Sequence, residues 1–217
     1  MHTKIVSRAK NSRLGRPSKE ESRLRHEQLL ECALDFFLER GLEQTTMVEI
    51  ATAVGMSKRT VYSYYEDKEQ LFRTAVQRAI DRYTVPYDIL KAVESDDLEE
   101  TLKAVARIRI DNVSTPTGIR LQRILNAQAY RFPDLFRESF GVVTRPTIRF
   151  LSELFERFTA EGQVDVEDPE RAAVAFLSLV VSGPARMITM GRAPDEVEIQ
   201  AGVDFSVQLF LNGIRRR

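Results

Sequence analysis

Apolar residues recur along most of this chain with a period near 3.6, and almost every segment reads as helix. No run of alternating apolar residues bounded by hairpin turns is present, so the predicted fold class is all-α. Leu29, Leu30, Ala33, Phe36 and Phe37 stripe a first helix from about Leu24 to Arg40, stopped by Gly41. Thr46-x-x-Glu49 has the form of a capping box and opens a second helix that ends at Gly55. Ser57 caps a short third helix reaching about Tyr64. Asp67 opens a fourth, which runs to about Tyr83 before Pro86.

Six more helices are predicted over Asp97–Val113, Pro116–Arg131, Pro133–Phe140, Pro146–Ala160, Pro169–Met190 and Pro194–Ile214. Proline stands at or near the start of most of them, where its missing N–H does no harm. Pro184 is internal, and a kink without a chain break is expected there. These elements divide the chain into a basic arm (1–22), a first helical unit (23–72) and a larger second helical unit (73–217).

Composition narrows the function. The single cysteine, Cys32, excludes an intramolecular disulfide and any Cys-rich zinc site. The two histidines lie in no ligand pattern, so neither a metal nor a cofactor is expected. No stretch is read as approaching bilayer-spanning apolar length, and the basic N-terminus lacks the apolar region of a signal peptide. A soluble, cytoplasmic protein without a membrane partner is the expectation. No Ser/His/Asp set, phosphate loop or Glu-x-x-His pair supports an enzyme. The 217 residues carry a formal net charge of zero, but residues 1–25 hold eight Lys and Arg against Glu20 and Glu21. A basic end on an acidic body is the asymmetry of a chain that meets phosphate at one end.

The predicted second and third helices, joined at Gly55-Met56, have the helix-turn-helix layout. Spacing alone does not separate that layout from an ordinary αα-hairpin. Charge does. Lys58 and Arg59 open the third helix and Lys68 opens the fourth, where the helix dipole disfavours a cation. A DNA groove and its phosphates account for all three.

The run Thr45-Thr46-Met47-Val48-Glu49-Ile50-Ala51, then Val54-Gly55-Met56-Ser57-Lys58-Arg59-Thr60-Val61-Tyr62-Ser63-Tyr64-Tyr65, then Asp67-Lys68-Glu69-Gln70-Leu71-Phe72 closely resembles the DNA-binding signature of the TetR family. Two departures are Tyr65, where phenylalanine is usual, and Arg59, where glycine or proline is common. The Tyr65 hydroxyl is read as a further phosphate contact. The resemblance implies that Thr46, Tyr64 and Lys68 contact phosphate. It implies that Lys58, Arg59, Thr60 and Tyr62 face base edges, with Ser63 able to do either. In the arm, Leu14-Gly15-Arg16-Pro17 is similar to the Gly-Arg-Pro core that enters narrow minor grooves. A solubilising tail attracted to phosphate is the competing reading of that segment.

The second half resembles the AefR/AcrR-like subgroup through Arg131-Phe132-Pro133-Asp134-Leu135, Ala160-Glu161-Gly162-Gln163-Val164, Asp168-Pro169-Glu170-Arg171-Ala172-Ala173 and Phe176 to Gly191. In such proteins this half binds an effector and dimerises. Phe176, Leu177, Val180 and Val181 on one helix and Val207, Phe210 and Leu211 on the last are the candidate dimer residues. Arg109, Asn112, Gln128, Tyr130, Phe155 and Phe158 are the candidate effector contacts. The expected function is a dimeric repressor, released from a palindromic double-stranded DNA operator by a small molecule of unspecified identity. An architectural DNA-binding protein that uses the basic arm without a ligand is the alternative.

Overall fold

Side-chain caps mark where most of the described helices begin. The computed structural model describes residues 18–192 and 195–215, so the Leu14–Pro17 motif lies outside the described residues. Ser18 closes a full capping box with Glu21, and α1 (Lys19–Gln44) therefore starts several residues before the predicted Leu24. Residues 19–22 of the predicted arm and the first residues of the unit at 23–72 form the first turns of this helix. Gly41, predicted to stop the first helix, instead kinks it at φ 76, and a last turn runs on to Gln44.

Thr46, Ser57 and Asp67 cap α2 (Met47–Ala53), α3 (Lys58–Tyr64) and α4 (Lys68–Tyr83), each accepting a backbone N–H three residues on. Each such cap contributes about 1 kcal/mol. A short α5 (Tyr87–Lys91), too brief to show a period, follows. Then come α6 (Leu98–Ser114), α7 (Pro116–Gln128), α8 (Pro133–Val143), α9 (Arg145–Ala160), α10 (Pro169–Thr189) and α11 (Glu196–Ile214). The helix α10 continues unbroken through Pro184. No strand occurs among the described residues; Val164 and Arg215 form one isolated bridge.

Two apolar cores hold these helices. The first joins α1–α4 to Val113, Leu121, Ile124, Phe132, Leu135 and Ile188. The second lies among α5, α6, α9, α10 and α11. The boundary drawn at 72/73 falls inside α4, and the first core is continuous across it. Ion pairs reinforce that junction: Asp35 with Arg120, Glu43 with Arg131, and Arg73 with Asp134. All are exposed, so each contributes little by itself.

Two expectations are corrected here. Pro169–Ile188 is long and apolar enough, by length and composition, to cross a bilayer. Only one flank of that helix is buried, against α6, α9 and α11. The same geometry relocates the candidate dimer residues. Phe176, Leu177, Val180, Val207 and Leu211 are buried in the protomer's own second core, and Val181 and Phe210 are half-buried against it. Apolar residues left outside include Val174, Ala175 and Leu179 on α10 and Val197, Ala201, Phe205 and Leu209 on α11. An apolar count around the helix does not say which flank its own chain covers.

Candidate nucleic-acid interface and effector cavity

The α2–α3 crossing is built from small and apolar groups. Ile50, Ala51 and Val61 are buried between the helices. Gly55 turns the chain at φ 64, a left-handed conformation that favours glycine. The Met56 N–H then donates to the Ala51 carbonyl at 2.8 Å. This turn leaves Lys58, Arg59, Tyr62, Ser63 and Tyr64 exposed on one short helix, with Thr60 half-buried.

Several of these groups are held by neighbours. The Lys58 ammonium lies 5.5 Å from the centre of the Tyr62 ring. The hydroxyls of Ser57 and Thr60 bond to each other at 2.7 Å, and Ser63 donates to the Thr60 carbonyl. The Thr60 hydroxyl is thus engaged at the start of its own helix. Thr46 donates to the Glu49 carboxylate at 2.7 Å while accepting that residue's N–H. The Thr46 hydroxyl and backbone N–H, both donating to the carboxylate, with Arg40 nearby, hold the Glu49 carboxyl below its ordinary pKa. Lys68 donates to the Glu43 carbonyl at 3.1 Å, tying its ammonium to the end of α1.

The phosphate role read for the Tyr65 hydroxyl is corrected. Tyr65 is buried, and its hydroxyl pairs with His26 Nε2 at 2.6 Å. Burial pushes the phenol up to about 12. The His26 ring lies parallel to Tyr65 at 5.8 Å and tilted against Tyr64 at 5.1 Å. It thus braces the end of α3 from α1, a role the sequence reading missed. The available signal was its place one turn before Leu29 and Leu30 on the apolar stripe of α1.

A cavity of about 450 Å³ opens between α6, α7, α8, α9 and α10, within the size range of small-molecule sites. Of the six predicted effector contacts, only Arg109 lines it. Asn112 instead donates to the Tyr83 carbonyl and ties α6 to the end of α4. Gln128 borders a void of about 10 Å³ beside Phe72 and Phe132, too small for an effector. Tyr130 is fully exposed at 103%, and Phe155 and Phe158 are core residues. The polar groups that do line the cavity are Gln122 and Asn126 on α7, Thr144 before α9, and Ser178, Ser182 and Arg186 on α10. Their i,i+4 pairing on apolar helices was the readable signal.

A charged short helix displayed on a tight helix-turn-helix, joined to a helical body with a ligand-sized cavity, points to one family. Residues 29–75 match the family described as bacterial regulatory proteins, tetR family, and residues 100–213 match the AefR-like transcriptional repressor C-terminal domain. The chain belongs to the TetR family.

It is a DNA-binding transcriptional regulator of repressor type, and its relatives are regulators, not enzymes. The HTH-type transcriptional regulator TtgR of Pseudomonas putida is 26% identical over 208 residues, covering 92% of this chain and 96% of TtgR. The repressor BepR of Brucella suis is 38% identical over 64 residues, 30% of this chain and 31% of BepR. Among solved structures, a TetR-family regulator from Mesorhizobium loti superposes with a TM-score of 0.73 at 26% identity, covering 92% of this chain and 100% of that one. The flavonoid-responsive regulator FrrA superposes at 0.69 with 29% identity, covering 89% and 98%.

Proposed function

We propose that this TetR-family regulator is a cytoplasmic homodimeric repressor that a small effector releases from a two-fold symmetric operator. The cavity of about 450 Å³ carries this reading. Its α7 wall meets α1 and α4, so a molecule lodged there acts on the elements that carry the reading unit. In this reading residues 23–72 bind DNA and 73–217 regulate. Lys58, Arg59, Thr60 and Tyr62 face bases; Thr46, Tyr64 and Lys68 meet phosphates; and Ser63 does either.

The outer flank of α10 and α11 supports the dimer. Phe205 is 70% exposed and Leu209 53%, beside Ala201 and Gly202 on the same stripe. A four-helix interface formed with the same stripe of a second protomer removes that surface from water. The pair of α3 helices then reads two half-sites about 34 Å apart. An effector that favours a different separation lowers DNA affinity, and DNA lowers effector affinity by the same factor. Because FrrA is named for flavonoid response, polyphenols are the first compounds to screen.

The test is a mobility shift with DNA from upstream of the protein's own gene, at several salt concentrations. A saturable shift carrying two protomers, weakened in Lys58→Ala and reversed by a bound compound, is the expected result. Equal affinity for random duplexes would favour the architectural alternative and overturn the repressor reading.

A further inference from the structure

The cavity contains a charge that its walls do not neutralise. Arg109 extends from the middle of α6 and is only 5% exposed. Its Nε is buried without a hydrogen-bond partner. Its Nη1 makes only a long contact, 3.4 Å, to the Val143 carbonyl. Among the described residues no Asp or Glu lines the cavity, whereas a second arginine, Arg186, does. A buried guanidinium ordinarily sits against a carboxylate, because desolvation without a partner is costly. Burial lowers the Arg109 pKa from its ordinary value, yet an arginine keeps its proton. The remaining lining is mostly apolar, with Phe140, Ile148, Val181 and Met190 among it.

We propose that the effector is an amphiphilic organic anion, an apolar body bearing one carboxylate or comparably acidic group that pairs with Arg109. This rests on the reading of the cavity as the effector site. The planar guanidinium presents donors in a fork that matches a carboxylate, whereas a neutral apolar molecule leaves it buried and unpaired. The Val143 carbonyl, which such an anion displaces, belongs to the last turn of α8, and α8 packs on α4. Capture of the anion therefore acts on a helix that touches the reading unit.

The experiment uses the full chain and two fluorescent probes of nearly the same body, anilinonaphthalene sulfonate and its uncharged counterpart phenyl-naphthylamine. The chain has no Trp, so the wild-type and Arg109 variant signals are read without indole emission. The sulfonate is expected to bind at least about tenfold tighter, the share of a hydrogen bond to a charged group. Arg109→Met erases that gap while still binding the neutral amine, and Arg109→Lys keeps most of it. Ser178→Trp fills the cavity and abolishes both signals. Equal affinities in the wild type, or a gap that survives Arg109→Met, would overturn the anion proposal and leave the cavity reading intact. Binding of both probes undiminished by Ser178→Trp would overturn the cavity reading itself. Should Arg109→Met fail to fold by far-UV circular dichroism, the wild-type gap and its retention in Arg109→Lys decide the matter.

Discussion

Gly118→Ala is the substitution for which helix propensity and tertiary packing predict opposite signs. Gly118 lies in the first turn of α7, and its N–H donates to the Thr115 cap at 3.0 Å. On propensity alone alanine stabilises such a position by about 0.5–1 kcal/mol. A Cβ built there stands 2.5 Å from the Asn112 carbonyl oxygen, 2.8 Å from that of Val113 and 2.7 Å from Tyr83 Cε2. Two of these atoms are backbone at the end of α6, and the third belongs to a buried ring at the end of α4, so none can swing aside cheaply. Overpacking of this kind costs about 1–3 kcal/mol, and the backbone contacts place this site at the upper end. The net expectation is a loss of about 2 kcal/mol, which in a chain of this size lowers Tm by about 4–8 °C. Thermal and urea unfolding followed by circular dichroism, at one fixed protein concentration, reads it. Gly141→Ala in α8, where a Cβ meets nothing within 4 Å, is the control and should hold or raise Tm. A Gly118→Ala protein that melts within about 1 °C of wild type would refute the packing argument.

Arg59→Ala should cost about 1–3 kcal/mol at one operator position and relax preference there, while Lys68→Ala weakens all sequences and reduces the salt slope by about one. Anisotropy titrations against operator variants separate the two, and an Arg59→Ala loss uniform across sequences would count against base reading. Phe205→Arg should shift the protein to monomer in sedimentation equilibrium, since each of two copies loses about 2–3 kcal/mol of aromatic burial. An unchanged dimer would place the interface elsewhere. Tyr65 predicts an alkaline effect. The unfolded phenol loses its proton near 10.0 and the folded one near 12, so its contribution is complete below pH 10 and falls as pH rises toward 12. In Tyr65→Phe the loss of stability across that window should be smaller than in wild type, measured by urea midpoints at each pH.

The helix-turn-helix was legible because its information is local. Caps at Thr46, Ser57 and Asp67, the left-handed Gly55 and the cations at helix starts are all set within a few residues of one another. The effector cavity was not, since it lies where five helices converge, and only Arg109 of six expected contacts lines it. Phe155 and Phe158 resemble cavity aromatics in sequence but fill the second core. Tyr130 looks like a buried ring in its local pattern and stands fully in solvent.

The order of the helices other than the short α5, and the exposed cations of α3, therefore followed from the sequence by itself, because capping, turn conformation and dipole act over one or two turns. Tertiary structure decided which flank of α10 and α11 is left for a partner, that the Tyr65 hydroxyl belongs to His26, and that Arg109 is buried beside a cavity with no acid among the described residues of its walls. Those outcomes depend on residues tens of positions apart meeting in space, and no periodicity along the chain encodes which helix arrives to cover a given face.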